Sequence, residues 1–350
     1  MPTTRQIRLL LIGAGQVGRR FVELLIAKDE TLRRLGLQFT LAGIADSGGA
    51  AIRPGGLDLA QVVHLKTQGQ SVADTPRWGR PGMSALEMVR TVNASLMLDA
   101  SPADLQEGQP GMACTEAALI RGLHVVTANK APLALAFSHL LALAEQHGVQ
   151  LRFDATVAGG LPAVNLGQRD LAAAEILRLE GLLNLTANYI LTRMAQEGLS
   201  YDDALAQAAG HAETDPRLDV EGWDAANKLV ILANSVLGFS ATLADVTVEG
   251  ITGITADVLR QASAQGQRIK LVAAAERQAN GYHLSVRPTW LDAEHPLARL
   301  GPAQMAICYH TDIMGIISAT ILEETPLPTA AAMLRDVIQI YRCPQEKGWN

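Results

Sequence analysis

The sequence has few cysteines and no long apolar run. Its three cysteines, Cys114, Cys308 and Cys343, are far apart, odd in number and without a CxxC pair, which argues against a disulfide framework and is typical of reduced thiols in a cytoplasmic protein. The apolar run at residues 9–12 is far shorter than the roughly 18 residues of a membrane helix, and no small-residue cleavage site follows it. We therefore expect a soluble protein without a targeting segment.

The sequence also has few aromatic residues and only a small excess of negative over positive charge. Aromatic residues make up 4% of the chain, charged residues 18% and hydrophobic residues 48%, a composition typical of a packed α/β protein rich in Leu, Ala, Val and Ile. The net charge of −6 is mild and the Lys and Arg residues are scattered. The sequence has no cluster of basic residues of the kind that binds nucleic acid, so a small-molecule partner is favoured.

Strand and helix patterns alternate over the first 153 residues. An apolar run at residues 7–12 ends at Gly13, as in a strand buried on both faces, and helical periodicity follows at residues 16–28. Such alternation implies right-handed crossovers and a doubly wound parallel sheet. Residues 47–91 show a weaker pattern and are interpreted as an insertion. The other predicted strands of this part lie at residues 39–45, 95–99, 125–127 and 149–153.

The pattern changes after residue 154. Several strands in succession, with helices between some of them, predict a mixed or antiparallel second sheet in an α+β region. These strands are predicted at residues 176–183, 246–248, 268–275, 282–287, 306–309 and 315–320.

Three glycines lie between the first predicted strand and the first predicted helix. Gly13, Gly15 and Gly18 form GAGQVG, in the context that the dinucleotide fingerprint requires. Gly13 permits the tight turn, Gly15 lets the backbone approach a pyrophosphate, and Gly18 allows close packing, with the phosphates at the helix N-terminus. The alternative is a glycine turn in an ordinary βαβ unit. The motif favours a Rossmann-like domain that binds NAD or NADP.

An acidic residue ends the second predicted strand. Asp46 would accept hydrogen bonds from the adenosine ribose diol and disfavour a 2′-phosphate, which favours NAD. Ser47 follows it, and Arg53 is near enough in sequence to fold over a phosphate, so NADP stays open. A turn or capping role for Asp46 is equally compatible with its position.

Two further segments are predicted near the edge where doubly wound parallel sheets bind their ligands. Asn129 and Lys130 follow the strand that ends at Thr127, at the carboxyl edge of the sheet. Lys130 would contact a substrate carboxylate or tune the reacting group there, or else be a solvated loop lysine. Residues 154–162, DATVAGGLP, run from a strand into a glycine turn whose free carbonyl oxygens would bind water, a monovalent cation or nothing.

An acid-rich segment ends in a lysine. Asp224 and Lys228 are four residues apart and share one helix face, which Ile231 and Leu232 continue as apolar residues. The pair is therefore predicted to point inward, where a partly desolvated lysine beside a carboxylate exchanges protons. The alternative is a surface ion pair worth about 0.2–0.5 kcal/mol. Further acids suited to hold a substrate ammonium are Glu213, Asp215 and Asp219.

Over residues 7–341 the sequence resembles the homoserine dehydrogenase family. The resemblance implies hydride transfer between NAD or NADP and the alcohol carbon of L-homoserine, giving L-aspartate 4-semialdehyde, in threonine and methionine synthesis. It also implies a homodimer. The matching stretches are GAGQVG at 13–18, TANKAPL at 127–133, DATVAGGLP at 154–162, LEGLLNLTANYILTRM at 179–194 and AETDPRLDVEGWDAANK at 212–228.

The resemblance also implies residue roles. Lys228 would carry the proton to and from the hydroxyl, Asp224 would orient it, and Lys130 would assist. The residues expected to hold the substrate are Glu213 and Asp219 at its amino group, and Asn184 and Thr186 at its carboxylate. The expected cofactor contacts are Gly13, Gly15, Gln16, Val17, Gly18, Asp46, Ser47, Ser101, Thr127 and Asn129. A sodium ion would lie on the carbonyl oxygens of Val157, Gly159 and Leu161, with Asp154 beside them.

The same resemblance implies a domain plan. Residues 1–153 with about 324–345 would form the NAD(P)-binding domain, and residues 154–323 the catalytic part (about 162–288) and the dimerisation part (about 154–161 and 289–323). The chain stops at Asn350, so a short form without a regulatory ACT domain is expected.

Two departures from the family pattern concern the pocket. Leu185 replaces the glycine of an NGT motif, and SATILEETPLPTAA at residues 318–331 replaces a glycine-rich stretch. The alternatives are therefore a related dehydrogenase of another small amino or keto acid, or a catalytically silent cofactor-binding protein.

Overall fold

The protein divides into two compact units. The computed structural model describes residues 4–209 and 216–342. Residues 4–160 and 325–342 form the first unit, and residues 161–209 and 216–324 form the second. Glu213, Asp215 and Cys343 lie outside the described residues.

The first unit contains a seven-stranded sheet in the order β4-β3-β2-β1-β5-β6-β7. Strands β2, β1, β5, β6 and β7 run parallel, whereas β3 and β4 are antiparallel additions at one edge. The strands are β1 (Arg5–Ile12), β2 (Leu37–Asp46), β3 (Gly49–Ile52), β4 (Gly79–Pro81), β5 (Leu96–Asp99), β6 (His124–Thr127) and β7 (Leu151–Arg152).

Apolar runs place this sheet between helices. The last four residues of β1 are fully buried, as expected for a strand covered on both faces. The final helix of the chain, Leu327–Arg342, places Ala330, Met333 and Val337 in the same core as Phe21 of the first helix, because these positions repeat at helical spacing. The helices that precede it in this unit are α1 (Gln16–Ala27), α2 (Asp29–Arg34), α3 (Leu59–Thr67), α4 (Ala85–Thr91), α5 (Gly111–Ile120) and α6 (Ala131–Gln146).

Residues 47–91 contribute to the sheet and are more than an insertion. Asp46 pairs with Gly49 across a tight reversal, and Gly49 pairs in turn with Pro81, so two short strands extend the edge. Both strands are only three or four residues long and contain glycine or proline. This composition explains why their sequence pattern is weak.

The second unit contains a six-stranded mixed sheet in the order β13-β12-β8-β10-β11-β9. Only the β11–β9 pair is parallel. The strands are β8 (Ile176–Leu182), β9 (Val246–Val248), β10 (Gln267–Gln278), β11 (Gly281–Asp292), β12 (Gln304–Thr311) and β13 (Ile316–Leu322). The helices of this unit are α7 (Ala163–Asn165), α8 (Leu185–Glu197), α9 (Tyr201–Ala209), α10 (Arg217–Val220), α11 (Trp223–Ser235) and α12 (Ala256–Ala264). The helix Leu327–Arg342 of the first unit is labelled α13.

Helices α8 and α11 pack against β10 in this second unit. Helix α8 begins immediately beyond β8, with Asn184 as its N-cap. Helix α11 buries Leu229, Ile231 and Leu232 together with Asp224, so its polar residues near the N-terminal end lie on the inward side. Within the described ranges, no helix combines the length and apolar character needed to cross a membrane.

Candidate active site

The glycine-rich turn in the first unit has the shape that a dinucleotide needs. Gly13 has φ +83°, and a Cβ added there would lie 2.3 Å from the backbone of Ala100. A Cβ on Gly18 would lie 1.9 Å from the carbonyl oxygen of Gly13. Packing therefore requires both glycines. A Cβ on Gly15 would instead meet nothing within 4 Å, so packing alone does not explain that glycine.

Helix α1 begins directly at this open space. Gly15 is its N-cap and no side chain caps the helix. The first amides of a helix have no intrahelical acceptor, so those of Gln16, Val17 and Gly18 are suited to phosphate oxygens. An uncapped helix start beside a glycine with free space fits the pyrophosphate of NAD or NADP.

Asp46 is held by four hydrogen bonds at the end of β2. Its Oδ2 accepts from Lys66 Nζ at 2.6 Å and from the amide of Val72 at 2.9 Å. Its Oδ1 accepts from the hydroxyl of Ser71 at 2.6 Å and from the amide of Gly48 at 3.0 Å. Burial raises the pKa of Asp46, but these bonds outweigh burial and leave the pKa below its ordinary value.

Lys66 is the cation beside Asp46. The guanidinium of Arg53 stacks over the ring of Trp78 instead, 5.3 Å from its centroid. Ser47 is exposed next to Asp46. Lys66 was not singled out in the sequence because it is 20 residues from Asp46 and lies on a helix with no motif.

Asp99, Ser101 and Asn129 form a polar network where β5 and β6 end. Asp99 Oδ1 accepts from the amide of Ser101 at 2.9 Å and from its hydroxyl at 2.6 Å, and Asn129 Nδ2 donates to the same hydroxyl at 3.1 Å. Thr127 accepts from the amide of Asn129 at 2.9 Å. Burial raises the pKa of Asp99 to about 6. Sequence reasoning missed Asp99, although an acid ending an apolar strand was a visible signal.

Lys130 is the N-cap residue of α6, where it is half-buried. Its place at the start of a helix that follows β6 agrees with the segment predicted at the carboxyl edge of the sheet.

The second unit brings together the lysine and the carboxylates of the acid-rich segment. Lys228 Nζ donates to Asp224 Oδ2 at 2.6 Å and to the carbonyl oxygen of Leu183 at 2.6 Å. Asn184 Nδ2 donates to Asp224 Oδ2 and to Asp219 Oδ1, both at 2.7 Å. Asn184 Oδ1 accepts from the amide of Ala187 at 2.7 Å and so caps α8.

The Lys228–Asp224 pair is buried, with side chains only 14% and 9% exposed. This burial excludes the surface ion pair considered from the sequence. Burial, and then the charge of Asp224, raise the pKa of Asp219, although hydrogen bonds from Thr186 and Asn184 and the charge of Lys228 oppose the shift. Within this network two carboxylates thus share one lysine, and a nearby cation would favour the charged form of Asp219.

Asn184 and Thr186 lie within this network. Both side chains hydrogen-bond to Asp219, so each already has an acidic partner. Glu213, expected at the substrate amino group, lies outside the described residues. The roles of these residues toward a substrate stay predictions.

The DATVAGGLP turn has an irregular backbone. Ala158 and Gly159 both have positive φ, +53° and +59°. Within the first unit, Arg335 pairs with the carboxylate of Asp154 and donates to the carbonyl oxygen of Gly160. In the ranges that the structure describes, no group of three or more His, Cys, Asp or Glu side chains could hold a metal.

A Rossmann-like unit with a dinucleotide turn, joined in one chain to a unit with a buried lysine–carboxylate pair, defines an NAD(P)-dependent dehydrogenase. The family model for homoserine dehydrogenase matches residues 162–338. The chain is 38% identical to homoserine dehydrogenase of Methanocaldococcus jannaschii over 95% of this chain and 98% of that one. The chain therefore belongs to the homoserine dehydrogenase family.

Solved structures and a second relative extend this similarity. A crystal structure of a homoserine dehydrogenase from Archaeoglobus fulgidus has a TM-score of 0.85 and 37% identity, covering 96% of this chain and 99% of that one. The NAD(+)-dependent homoserine dehydrogenase of Pseudomonas canavaninivorans is 33% identical over 98% of both chains. A hyperthermophilic archaeal homoserine dehydrogenase in complex with NADPH has a TM-score of 0.83 and 26% identity, covering 96% of this chain and 98% of that one.

Two glycine substitutions separate packing from cofactor binding. Gly18→Ala should lower the free energy of unfolding by about 1–3 kcal/mol, because its Cβ meets backbone that has to move. Gly15→Ala should lower the free energy of unfolding by no more than about 1 kcal/mol, since alanine is a poorer N-cap than glycine, and should weaken NADPH binding on the order of tenfold, because its methyl group occupies the space next to the helix start. Thermal denaturation and a fluorescence titration with NADPH measure the two effects. Unchanged binding by Gly15→Ala would contradict the placement of the pyrophosphate.

Proposed function

We propose that the protein interconverts L-homoserine and L-aspartate 4-semialdehyde with NAD or NADP. The observation that carries the proposal is the buried network in which Lys228, Asp224 and Asn184 lie within hydrogen-bonding distance. Such a network holds a proton donor in a fixed position, which is what reduction of an aldehyde to an alcohol needs. The nicotinamide supplies or accepts the hydride when the cofactor is bound.

Lys228 moves the proton in this scheme. In reduction, its ammonium donates a proton to the aldehyde oxygen as negative charge develops there, and in oxidation the amine takes the hydroxyl proton. Asp224 and the carbonyl oxygen of Leu183 each accept one of its N–H groups. Among the described residues these are its only hydrogen-bond partners, so one N–H is left for the substrate.

Acids and a helix start would recognise the amino-acid part of the substrate. Asp219, whose pKa is raised by burial and then by Asp224, would pair with the substrate ammonium, together with Glu213. The amides of Leu185 and Thr186 at the start of α8 would receive the substrate carboxylate, since a helix N-terminus favours anions. Lys130 is proposed as the second lysine that assists at the substrate and cofactor.

The cofactor site is proposed to accept NADP as well as NAD. A free carboxylate at the end of β2 would repel a 2′-phosphate, but Asp46 is neutralised by Lys66 and saturated by Ser71, Val72 and Gly48. Lys66 thus offsets the repulsion between Asp46 and a 2′-phosphate. Two of its N–H groups are donated to Asp46 and to the carbonyl oxygen of Gln70, so the third would meet the phosphate, and Asp46 would lie beside the ribose of either cofactor. Ser47, Ser101, Thr127 and Asn129 complete the proposed contacts.

Replacement of Lys228 tests the proton-transfer role. Lys228→Met should lower kcat on the order of 10²–10⁴-fold, with cofactor affinity unchanged because Lys228 is not among the proposed cofactor contacts. Lys228→Arg keeps the positive charge but cannot give up a proton, so its kcat should be as low. Steady-state assays with L-homoserine measure the kcat of each variant. The same assays run in sodium chloride and in choline chloride measure any requirement for sodium. Full activity in Lys228→Arg would refute proton transfer, and turnover of another substrate by the wild type would favour a related dehydrogenase.

Lys66→Met tests the cofactor proposal. The variant should raise the KM for NADP about tenfold more than the KM for NAD, equivalent to about 1.4 kcal/mol, because Asp46 would then repel the phosphate. Arg53→Met is the matched control, since Arg53 stacks on Trp78, and its ratio of the two KM values should equal that of the wild type. A changed ratio in Arg53→Met alone would assign the phosphate to Arg53.

The homodimer is proposed on the edge strand β13. This strand ends the sheet and exposes Ile316 (60%) and Leu322 (56%), with Ile313 and Met314 exposed in the preceding turn. An apolar sheet edge of this kind is a surface for pairing with another chain, and a second copy would cover it symmetrically.

A double substitution tests this surface. Ile316→Lys with Leu322→Lys should convert a dimer into a monomer of 37.2 kDa in sedimentation velocity, because buried lysines oppose association. Ile120→Lys, at an equally exposed apolar residue of the first unit, should leave the dimer intact. A monomeric wild type would contradict the proposal.

A sodium ion and a cytoplasmic location complete the proposal. Consecutive positive φ values at Ala158 and Gly159 support carbonyl ligands at Val157 and Gly159. Asp154 is paired with Arg335, and the Leu161 carbonyl oxygen accepts from the amide of Ala163.

The buried free thiols of Cys114 and Cys308 support a reducing compartment.

A further inference from the structure

Lys270 is a buried lysine in β10 that the proposed reaction does not use. It is only 4% exposed. Its Nζ donates to Asn188 Oδ1 at 2.7 Å, to Thr192 Oγ1 at 2.8 Å and to the carbonyl oxygen of Leu300 at 3.1 Å. An ammonium has three N–H donors, so all three are satisfied.

The ammonium of Lys270 has no counter-ion among the described residues, because its three acceptors are all uncharged. Burial, and then the charge of Arg268, lower its pKa to about 8. A buried cation held only by neutral oxygens is unfavourable compared with an apolar side chain. Stability alone therefore does not account for a lysine at this position.

The three acceptors belong to two elements that flank β10. Asn188 and Thr192 are one turn apart on α8, and Leu300 lies in the segment that leads into β12. Asn188 also donates from Nδ2 to the carbonyl oxygens of Gly301 at 2.8 Å and Gln304 at 2.9 Å. Lys270 and Asn188 together thus join α8, β10 and residues 300–304 through directional bonds.

Helix α8 transmits this constraint to the substrate site. The amide of Asn188 donates to the carbonyl oxygen of Asn184 at 3.3 Å, so the two asparagines lie one turn apart at the start of the helix. Asn184 places its amide nitrogen between Asp219 and Asp224. Short hydrogen bonds to two carboxylates tolerate little movement of the helix start.

We propose that Lys270 is a positioning residue of the substrate site, which fixes the start of α8 and thereby holds Asn184 between Asp219 and Asp224. The inference rests on the proposed function, in that this network is taken as the place where homoserine binds. Lys270 itself does not touch the substrate.

Lys270→Met tests the proposal, with Val272→Ala as matched control. Val272 is buried two residues further along the same strand, so its truncation disturbs the core without touching α8 through a polar bond. We expect Lys270→Met to raise the KM for homoserine on the order of tenfold, with the dissociation constant for NADPH unchanged. Val272→Ala should lower the melting temperature and leave the KM within about twofold.

A stabilising osmolyte separates positioning from stability. Sucrose, which is excluded from the protein surface, should raise the melting temperature of Lys270→Met towards that of the wild type, whereas the KM for homoserine should stay high. Recovery of the KM together with stability would overturn the proposal, because Lys270 would then act only on folding.

Hydrogen exchange provides a readout that does not depend on homoserine. The amide of Ala187, which donates to Asn184 Oδ1, should exchange at least about tenfold faster in Lys270→Met than in Val272→Ala. Equal exchange in the two variants would refute the inference even if the enzyme is active. Absence of turnover of homoserine by the wild type, with faster exchange in Lys270→Met, would refute the proposed substrate and leave the positioning of α8 standing.

Discussion

The buried contact between Lys228 and Asp224 is the interaction on which the rest of the site depends. A desolvated ammonium and carboxylate are stable only when their remaining donors and acceptors are also satisfied, and loss of one partner from such a pair typically removes about 3–5 kcal/mol. Leu183 supplies a carbonyl oxygen to the lysine and Asn184 a donor to the aspartate. Asn184 also begins α8, because its oxygen accepts the amide of Ala187. With the oxygen committed to the helix, its nitrogen must face the two acids.

A different constraint shapes the dinucleotide turn. Gly13 and Gly18 are required by close backbone contacts, whereas Gly15 faces open space. Packing therefore explains two of the three glycines, and the proposed pyrophosphate site would explain the third. Asp46 anchors the turns at Gly48 and Ser71 through its Oδ1, and its proposed place beside the ribose would add a second role.

Local patterns were predictable from the sequence, and distant partners were not. The strand–glycine–helix opening and the Asp224–Lys228 spacing each fall within a few residues, so periodicity was enough. Strands β3 and β4 were not predicted, because they are short and stabilised by pairing across the edge of the sheet. The Lys66–Asp46 and Lys270–Asn188 contacts join residues 20 and 82 apart, and no local pattern marks them. The resemblance to a known family supplied the expected roles of Asn184 and Thr186, which composition and spacing alone did not.

Isotope transfer tests the central claim most directly, namely that hydride leaves the alcohol carbon of homoserine. L-homoserine carrying deuterium at both positions of that carbon is oxidised in the presence of NAD or NADP, and the reduced cofactor is analysed by mass spectrometry. The account predicts one deuterium in each reduced nicotinamide and none in the solvent. Reduced cofactor without deuterium, or the appearance of deuterium in water during turnover, would contradict it.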